Sequence, residues 1–316
     1  MMQRPHSRLS SPLRRLAELL RSAVFRLSPS LRRSCEMRGF LKSAASLDRL
    51  AAIVEGDVVL KVEEFGGVFS MDCRSDLFRR IVIYGHYEPE LTLLLGEVMS
   101  LLGERHRGGF DAIDVGANIG FHSVFFVRNG ARACLALEPV GAAYLRLQAN
   151  LRRNGVAAAC LAEQVAGSTE SGVAEMEVID GMEEYSSLGG IHHAAVAYHE
   201  RRKETIATAS VDELVVRHGL LPRIMKIDAE GSELEVLQGA CSTIASYQPV
   251  IIYECGAVAR PGESVSARSW LAERGYRFLD PARRTWLEDD DRCDDILAVP
   301  ASFASSFEKC RGGRMA

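Results

Sequence analysis

The chain has 316 residues, of which 47% are apolar and 25% charged, with a formal net charge of −4. This is the composition of a globular protein with room for one large domain and an appendage. The acidic balance argues against a nucleic-acid-coating surface, and no apolar run reaches the length that crosses a bilayer.

The chain opens on a basic segment. Arg14, Arg15, Arg21, Arg26, Arg32 and Arg33 alternate with Leu16, Leu19, Leu20, Val24, Phe25 and Leu27, the pattern of an amphipathic basic helix that Pro29 would break. It reads as a helical or partly ordered extension; contact with a membrane surface is the second reading. From Asp57 the pattern changes to short strands, Val58–Leu60 and Arg80–Ile83, with Gly66-Gly67 as a turn. Glu90–Leu102 then reads as an amphipathic helix. Beyond it, strands at Ala112–Val115, Ala133–Leu137, Leu161–Val165, Ile224–Ile227 and Val250–Tyr253 alternate with helices. Those helices are expected at Ile119–Asn129, Ala142–Asn154, Val211–His218, Ser232–Ala245 and Val265–Arg274. Such alternation is the signature of a parallel sheet with helical crossovers. Tyr276–Leu279, Thr285–Leu287 and Ile296–Val299 differ, and suggest a terminal antiparallel hairpin on the sheet edge. The eight cysteines include no C-x-x-C pair, and no metal-ligand set stands out. Several sit in apolar stretches, which fits reduced thiols and a cytoplasmic location.

The first buried strand ends in Asp114-Val115-Gly116-Ala117-Asn118-Ile119-Gly120 and leads into a helix. Glycines at such a turn let the backbone approach a ligand at the carboxyl end of the strand. A dinucleotide loop would read G-x-G-x-x-G, whereas Asn118 stands in place of the middle glycine and the third glycine arrives early. That weakens a pyrophosphate reading. S-adenosylmethionine, with a carboxylate for the helix N-terminus and an ammonium for Asp114, fits better. Glu138-Pro139 closes the next strand, about 20 residues past the loop, where an acid commonly holds a ribose diol. The strand at Ile224–Ile227 runs into Asp228-Ala229-Glu230-Gly231, two acids positioned to work on an acceptor as general base, with Lys226 expected to pair with one of them. Glu254 adds an acid after the next strand. His122, just past Gly120, is a third candidate base, although a packing role fits it equally.

Taken together, Asp114–Gly120, Leu137-Glu138-Pro139, Lys226–Gly231 with its Glu-Leu-Glu-Val-Leu helix, and Tyr253-Glu254 resemble the FkbM-type methyltransferases. Tyr84–Glu90 is similar to that family's entry segment, and Ile296–Pro300 to its exit. The resemblance implies a class I Rossmann-like methyltransferase domain over residues 57–300, flanked by the extension 1–56 and a tail 301–316. It implies a seven-stranded, mostly parallel sheet with its last strand antiparallel. It further implies S-adenosylmethionine as cofactor and a hydroxyl-bearing small molecule, such as a sugar or polyketide, as acceptor. Asp114, Gly116, Ala117, Asn118 and Gly120 would line the methionine end. Glu138 and Pro139 would hold the ribose, and Gln164 and Ala166 would lie near the adenine. Catalysis would rest on Asp228, Glu230 and His122. A nicotinamide oxidoreductase and a non-catalytic protein of the same fold are the rival readings, and no nucleic-acid partner is expected. The polar stretch from Ile191 to Lys203 is a candidate substrate loop.

Overall fold

The computed structural model describes residues 56–188, 190, 196, 198–254, 266–288 and 293–312. The basic segment up to residue 55 and the Ile191–His193 part of the polar stretch lie outside these residues.

The organising element is a sheet of eight strands. Its centre is β3 (Asp111–Val115), a strand buried at every position, as expected for a parallel strand covered on both faces. On one side of it lie β4 (Ala133–Leu137) and then β5 (Cys160–Glu163). On the other side come β9 (Pro222–Ile227), β10 (Val250–Glu254), β13 (Asp295–Pro300), β11 (Tyr276–Asp280) and finally β12 (Thr285–Trp286). Pairing is parallel from β5 through β10, and β13 runs antiparallel to both its neighbours. One expectation changes: the sheet has eight strands instead of seven, because the two-residue β12 extends its edge. The expected antiparallel hairpin forms that edge as β11 with β12, and β13 inserts between β10 and β11, where its buried Ile296–Val299 run is covered on both faces.

Crossovers cover the two faces of the sheet. The face carrying Ala112 and Ile224 packs against α2 (Pro89–Arg105) and α3 (Phe121–Arg128). The face carrying Ile113 and Val115 packs against α5 (Val211–His218), α6 (Glu233–Gly239) and α8 (Ala267–Ala272). The single helix expected at Ser232–Ala245 is two, α6 and α7 (Cys241–Tyr247), which meet at Ala240. Gly239 allows the break. A Cβ there would lie 1.9 Å from the Ser168 carbonyl oxygen, so the chain packs too closely for any side chain.

Arg80–Ile83, expected as a strand, belongs to helix α1 (Asp76–Tyr84). Its β-branched residues favour a strand locally, but the surroundings decide otherwise. Ser75 caps the helix by accepting from the Phe78 amide, Gly85 ends it with φ 82°, and Leu77, Phe78, Ile81 and Val82 form one buried helical stripe. Before it, β1 (Asp57–Val62) and β2 (Gly67–Asp72) form a hairpin that turns at Gly66-Gly67 as anticipated. The hairpin is fixed to α4 (Gly141–Arg153) by Asn150. Its amide accepts from the Ser70 N–H at 2.7 Å and donates to the carbonyls of Ser70 and Ile119 at 3.0 and 2.9 Å.

Sequence patterning did not reveal the small sheet β6-β8-β7, built from Ala166–Gly167, Arg202–Ala209 and Gly172–Val178. Arg202 and Lys203, read as the end of a substrate loop, open β8 instead. The stretch read as a tail contains α9 (Ala301–Gly312), whose Phe303, Ala304 and Phe307 are buried in the main core.

Candidate functional site

The topology carries a row of acids to one edge of the sheet. Glu138 follows β4, Asp114 stands in β3, Asp228 and Glu230 follow β9, and Glu254 ends β10. Because β13 is antiparallel, its first residue, Asp295, reaches the same edge, directly opposite Glu254. Ligands of open parallel sheets bind along this edge.

Asp114 and Lys226 are cross-strand partners on β3 and β9, so their side chains leave the same face. Both are buried. Lys226 Nζ contacts Asp228 Oδ2, two residues further along its own strand, at 2.8 Å, as the sequence led us to expect. Burial alone would lower the lysine's pKa, but Asp228, Glu88 and Asp114 outweigh it and hold the ammonium charged. Asp114 Oδ2 accepts from Ser123 Oγ at 2.5 Å, while its Oδ1 is buried without a hydrogen-bond partner. Burial pushes the Asp114 carboxyl above the usual range, against the pull of Lys226 and Ser123. Ser123 was not anticipated. Its only signal was its place in the first turn of the helix after Gly120.

The loop from Gly116 to Gly120 is held on two sides. The amides of Gly116 and Ala117 donate to the Leu137 carbonyl, and the Asp228 amide donates to that of Val115. Gly116 has φ 73°, and a Cβ on it would stand 1.8 Å from the Asp228 carbonyl oxygen. Asn118 takes φ 48°, a conformation that asparagine tolerates better than most residues. Its amide donates to Glu138 Oε2 at 2.8 Å, and the Val140 amide donates to Oε1 at 2.8 Å. Glu138 therefore ties the loop to the second strand. A carboxylate has about four lone-pair positions, so two stay open to a diol. Burial pushes this carboxyl up to about 8.

Pro139 is half-buried beside Glu138, and Gln164 is exposed with its amide against Gly141. Ala166 opens β6 and is buried against Val140 and Ala143. These three border the loop and the second strand on the β5 side.

The acceptor-side candidates differ in state. Asp228 is held by Lys226. Glu230 has φ 48°, its carbonyl accepts from Ser187 Oγ at 2.8 Å, and burial together with Asp228 and Glu254 pushes its carboxyl up to about 9. Carboxylate oxygens of Asp228, Glu230 and Glu254 lie within 4.8 Å of one another, a spacing that a shared proton or cation would relieve and that sequence spacing alone did not disclose. His122 is buried beneath Phe65, their rings edge-on with centroids 5.1 Å apart. Burial first, and Lys226 second, hold its imidazole well below the usual range and thus neutral. Its Nε2 lies 3.4 Å from Glu88 Oε2, just ahead of α2. A separate open groove of about 450 Å³, lined by Glu64, Tyr84, His86, Leu93 and Phe125 among others, lies beside this turn, and none of the predicted site residues lines it.

The residues at the edge fit S-adenosylmethionine. Asp114 Oδ1 is an orphaned buried acceptor where an ammonium would dock, and the backbone at Gly116 passes too close to Asp228 for any side chain. The acids surround a single buried lysine among the described residues, a balance that favours a cationic ligand.

An open α/β sheet with a buried aspartate and a buried glutamate at the tips of its first two strands is a Rossmann-like cofactor-binding protein. Residues 114–278 match the family model described as the methyltransferase FkbM domain, which spans more than half of the chain. The chain belongs to the FkbM methyltransferase family. Among solved structures, it is similar to the FkbM methyltransferase from Methylobacillus flagellatus at 18% identity, covering 60% of this chain and 43% of that one, with a TM-score of 0.41. An O-methyltransferase from Bacillus cereus solved with SAH shares 11% identity over 70% of this chain and 96% of its own, with a TM-score of 0.35. TomG, an O-methyltransferase of tomaymycin synthesis from Streptomyces achromogenes, shares 13% over 66% and 81%, with a TM-score of 0.33. No curated protein sequence matches the chain.

Proposed function

We propose that this protein transfers the methyl group of S-adenosylmethionine to a hydroxyl of a small-molecule acceptor. The observation that carries the reading is the orphaned Asp114 Oδ1 at the tip of β3, beside a loop that Glu138 fixes to β4. In this reading Asp114 and the amides of Gly116 to Gly120 hold the amino-acid end, and the open lone pairs of Glu138 hold the ribose. Gln164 and Ala166 border the adenine.

The cofactor supplies an electrophilic methyl with a neutral leaving group. The protein's task is to align the acceptor oxygen and exclude water, an advantage of up to roughly 7–11 kcal/mol. Asp228, locked by Lys226, orients the acceptor hydroxyl, and Glu230 lines the rim next to it. The absence of a long apolar helix among the described residues is compatible with an acceptor met in water. We place the reaction in the cytoplasm on the strength of the buried thiols of Cys134 and Cys160, which form no disulfide. The test is calorimetry with S-adenosylmethionine on the native protein and on Asp114→Ala and Glu138→Ala. Binding by the native protein with severe loss in both variants supports the reading, and unchanged affinity in both removes it.

A further inference from the structure

Methyl transfer to a hydroxyl requires a group that takes the hydroxyl proton, and the residues first considered for it are compromised. The Glu230 carboxylate is crowded by those of Asp228 and Glu254, their oxygens within 4.8 Å of one another. Asp228 is committed to Lys226 at 2.8 Å. His122 is buried and ringed by Phe65 and Phe126. Glu233 is committed to the amides of Ala229 and Gly231, and Glu64 to the amides of Tyr87 and Glu88 and the Thr92 hydroxyl.

Glu88 is different. It immediately precedes the first residue of α2, a turn that Glu64 holds through the backbone of Tyr87 and Glu88 itself. The backbone is thus fixed while the carboxylate remains uncommitted. Its Oε2 is buried with no hydrogen-bond partner, and it faces His122 Nε2, which has none either, at 3.4 Å. Two orphaned polar atoms facing each other across that distance leave a place for one proton. His122 stands two residues past the end of the Asp114–Gly120 loop, and Lys226, Asp228 and Asp295 lie near enough to act on the Glu88 charge. The pair therefore borders the cofactor loop on one side and the acceptor-side acids on the other.

We infer that Glu88 is the proton acceptor of the transfer site, with His122 as the residue that positions it. This rests on the methyl-transfer reading above. The step balances within the site. As the acceptor oxygen forms its bond to the methyl carbon, the sulfur–methyl bond breaks and its electron pair returns to sulfur, giving a neutral thioether. The hydroxyl proton passes to Glu88 and afterwards leaves to solvent. Burial, with Asp295, Asp228 and Glu64 adding to it and Lys226 opposing, pushes the Glu88 carboxyl up to about 8. A base tuned near the working pH is more effective than an ordinary carboxylate, and an arriving sulfonium favours its ionised form.

The acceptor need not be known to test this. Sinefungin carries an ammonium where S-adenosylmethionine carries its methyl, whereas S-adenosylhomocysteine carries nothing there. Calorimetry should give the native protein at least about a tenfold preference for sinefungin over S-adenosylhomocysteine. That preference should grow from about pH 6.5 to about pH 9 as Glu88 ionises. Glu88→Gln should abolish the preference and its pH dependence while leaving S-adenosylhomocysteine affinity within about twofold. Glu88→Asp, which keeps the charge, should retain part of the preference, and His122→Asn should shift the pH at which it appears. A preference that survives Glu88→Gln overturns the inference. So does equal weakening of both ligands, which would mark Glu88 as structural. If neither ligand binds the native protein, the methyl-transfer reading falls, and the inference with it.

Discussion

Gly116→Ala is the substitution that presses hardest on the geometry of the cleft. Gly116 holds φ 73°, where a non-glycine residue costs roughly 1–2 kcal/mol. The larger effect is steric. The new methyl carbon would lie 1.8 Å from the Asp228 carbonyl oxygen and 2.9 Å from its carbonyl carbon. Ordinary contact needs well over 3 Å, so the loop after β3 and the segment after β9 must part by more than about 1 Å. Both are anchored, Gly116 N–H to the Leu137 carbonyl and Asp228 N–H to the Val115 carbonyl, and parting them strains or breaks these bonds at about 1 kcal/mol each. The sum is a destabilisation of roughly 3–4 kcal/mol, or a melting point lower by about 6–16 °C at 2–4 °C per kcal/mol. Calorimetric melting and cofactor titration of the same sample check both consequences. A variant that melts within 2 °C of the native protein and binds S-adenosylhomocysteine equally well would refute the close approach on which the site is built.

Three further outcomes follow from other contacts. Asn150→Ala strands the Ser70 amide and carbonyl and the Ile119 carbonyl, and should cost about 3 kcal/mol in a denaturant titration; a loss under 1 kcal/mol would show that the hairpin does not depend on that tie. Asp228→Asn should keep cofactor affinity and lower kcat on the true acceptor by about 10²–10³-fold if aligning the acceptor is its role, whereas full turnover would remove it from the mechanism. Burial raises the carboxyls of Glu88 and Glu138 to about 8 and that of Glu184 to about 7. All three exceed the ordinary glutamate value, so the folded state holds protons that the unfolded chain releases; their contribution is complete below about pH 4.3 and is lost as pH rises through 7 to 8. Without ligand, the melting temperature should fall between pH 5 and about pH 8.5, and a rise over that range would contradict the burial of these groups.

The parts of this fold legible in the sequence are those that local pattern decides. Ala133–Leu137 and Val211–His218 form at the expected bounds because an unbroken apolar run and a capped amphipathic turn need no distant partner. Arg80–Ile83 misled because its β-branched residues favour a strand until Ser75, Gly85 and the buried stripe impose a helix. The small sheet β6-β8-β7 was hidden because its strands are half-exposed and one has only two residues. At the edge of the sheet, Asp114 announced itself at the end of a strand, and Glu138 and Asp228 by following strands. Ser123, Glu88 and Asp295 did not, since their positions depend on how α3 begins, how α2 is capped and how β13 inserts.

In the proposed function, the row of acids at this edge receives S-adenosylmethionine. Titration of the native protein and of Asp114→Asn with S-adenosylmethionine in a calorimeter tests it most directly. Saturable one-to-one binding is expected, weakened about a hundredfold by Asp114→Asn, equivalent to losing a charge-assisted contact of roughly 2–3 kcal/mol. No binding by the native protein, or equal binding by the variant, would contradict it.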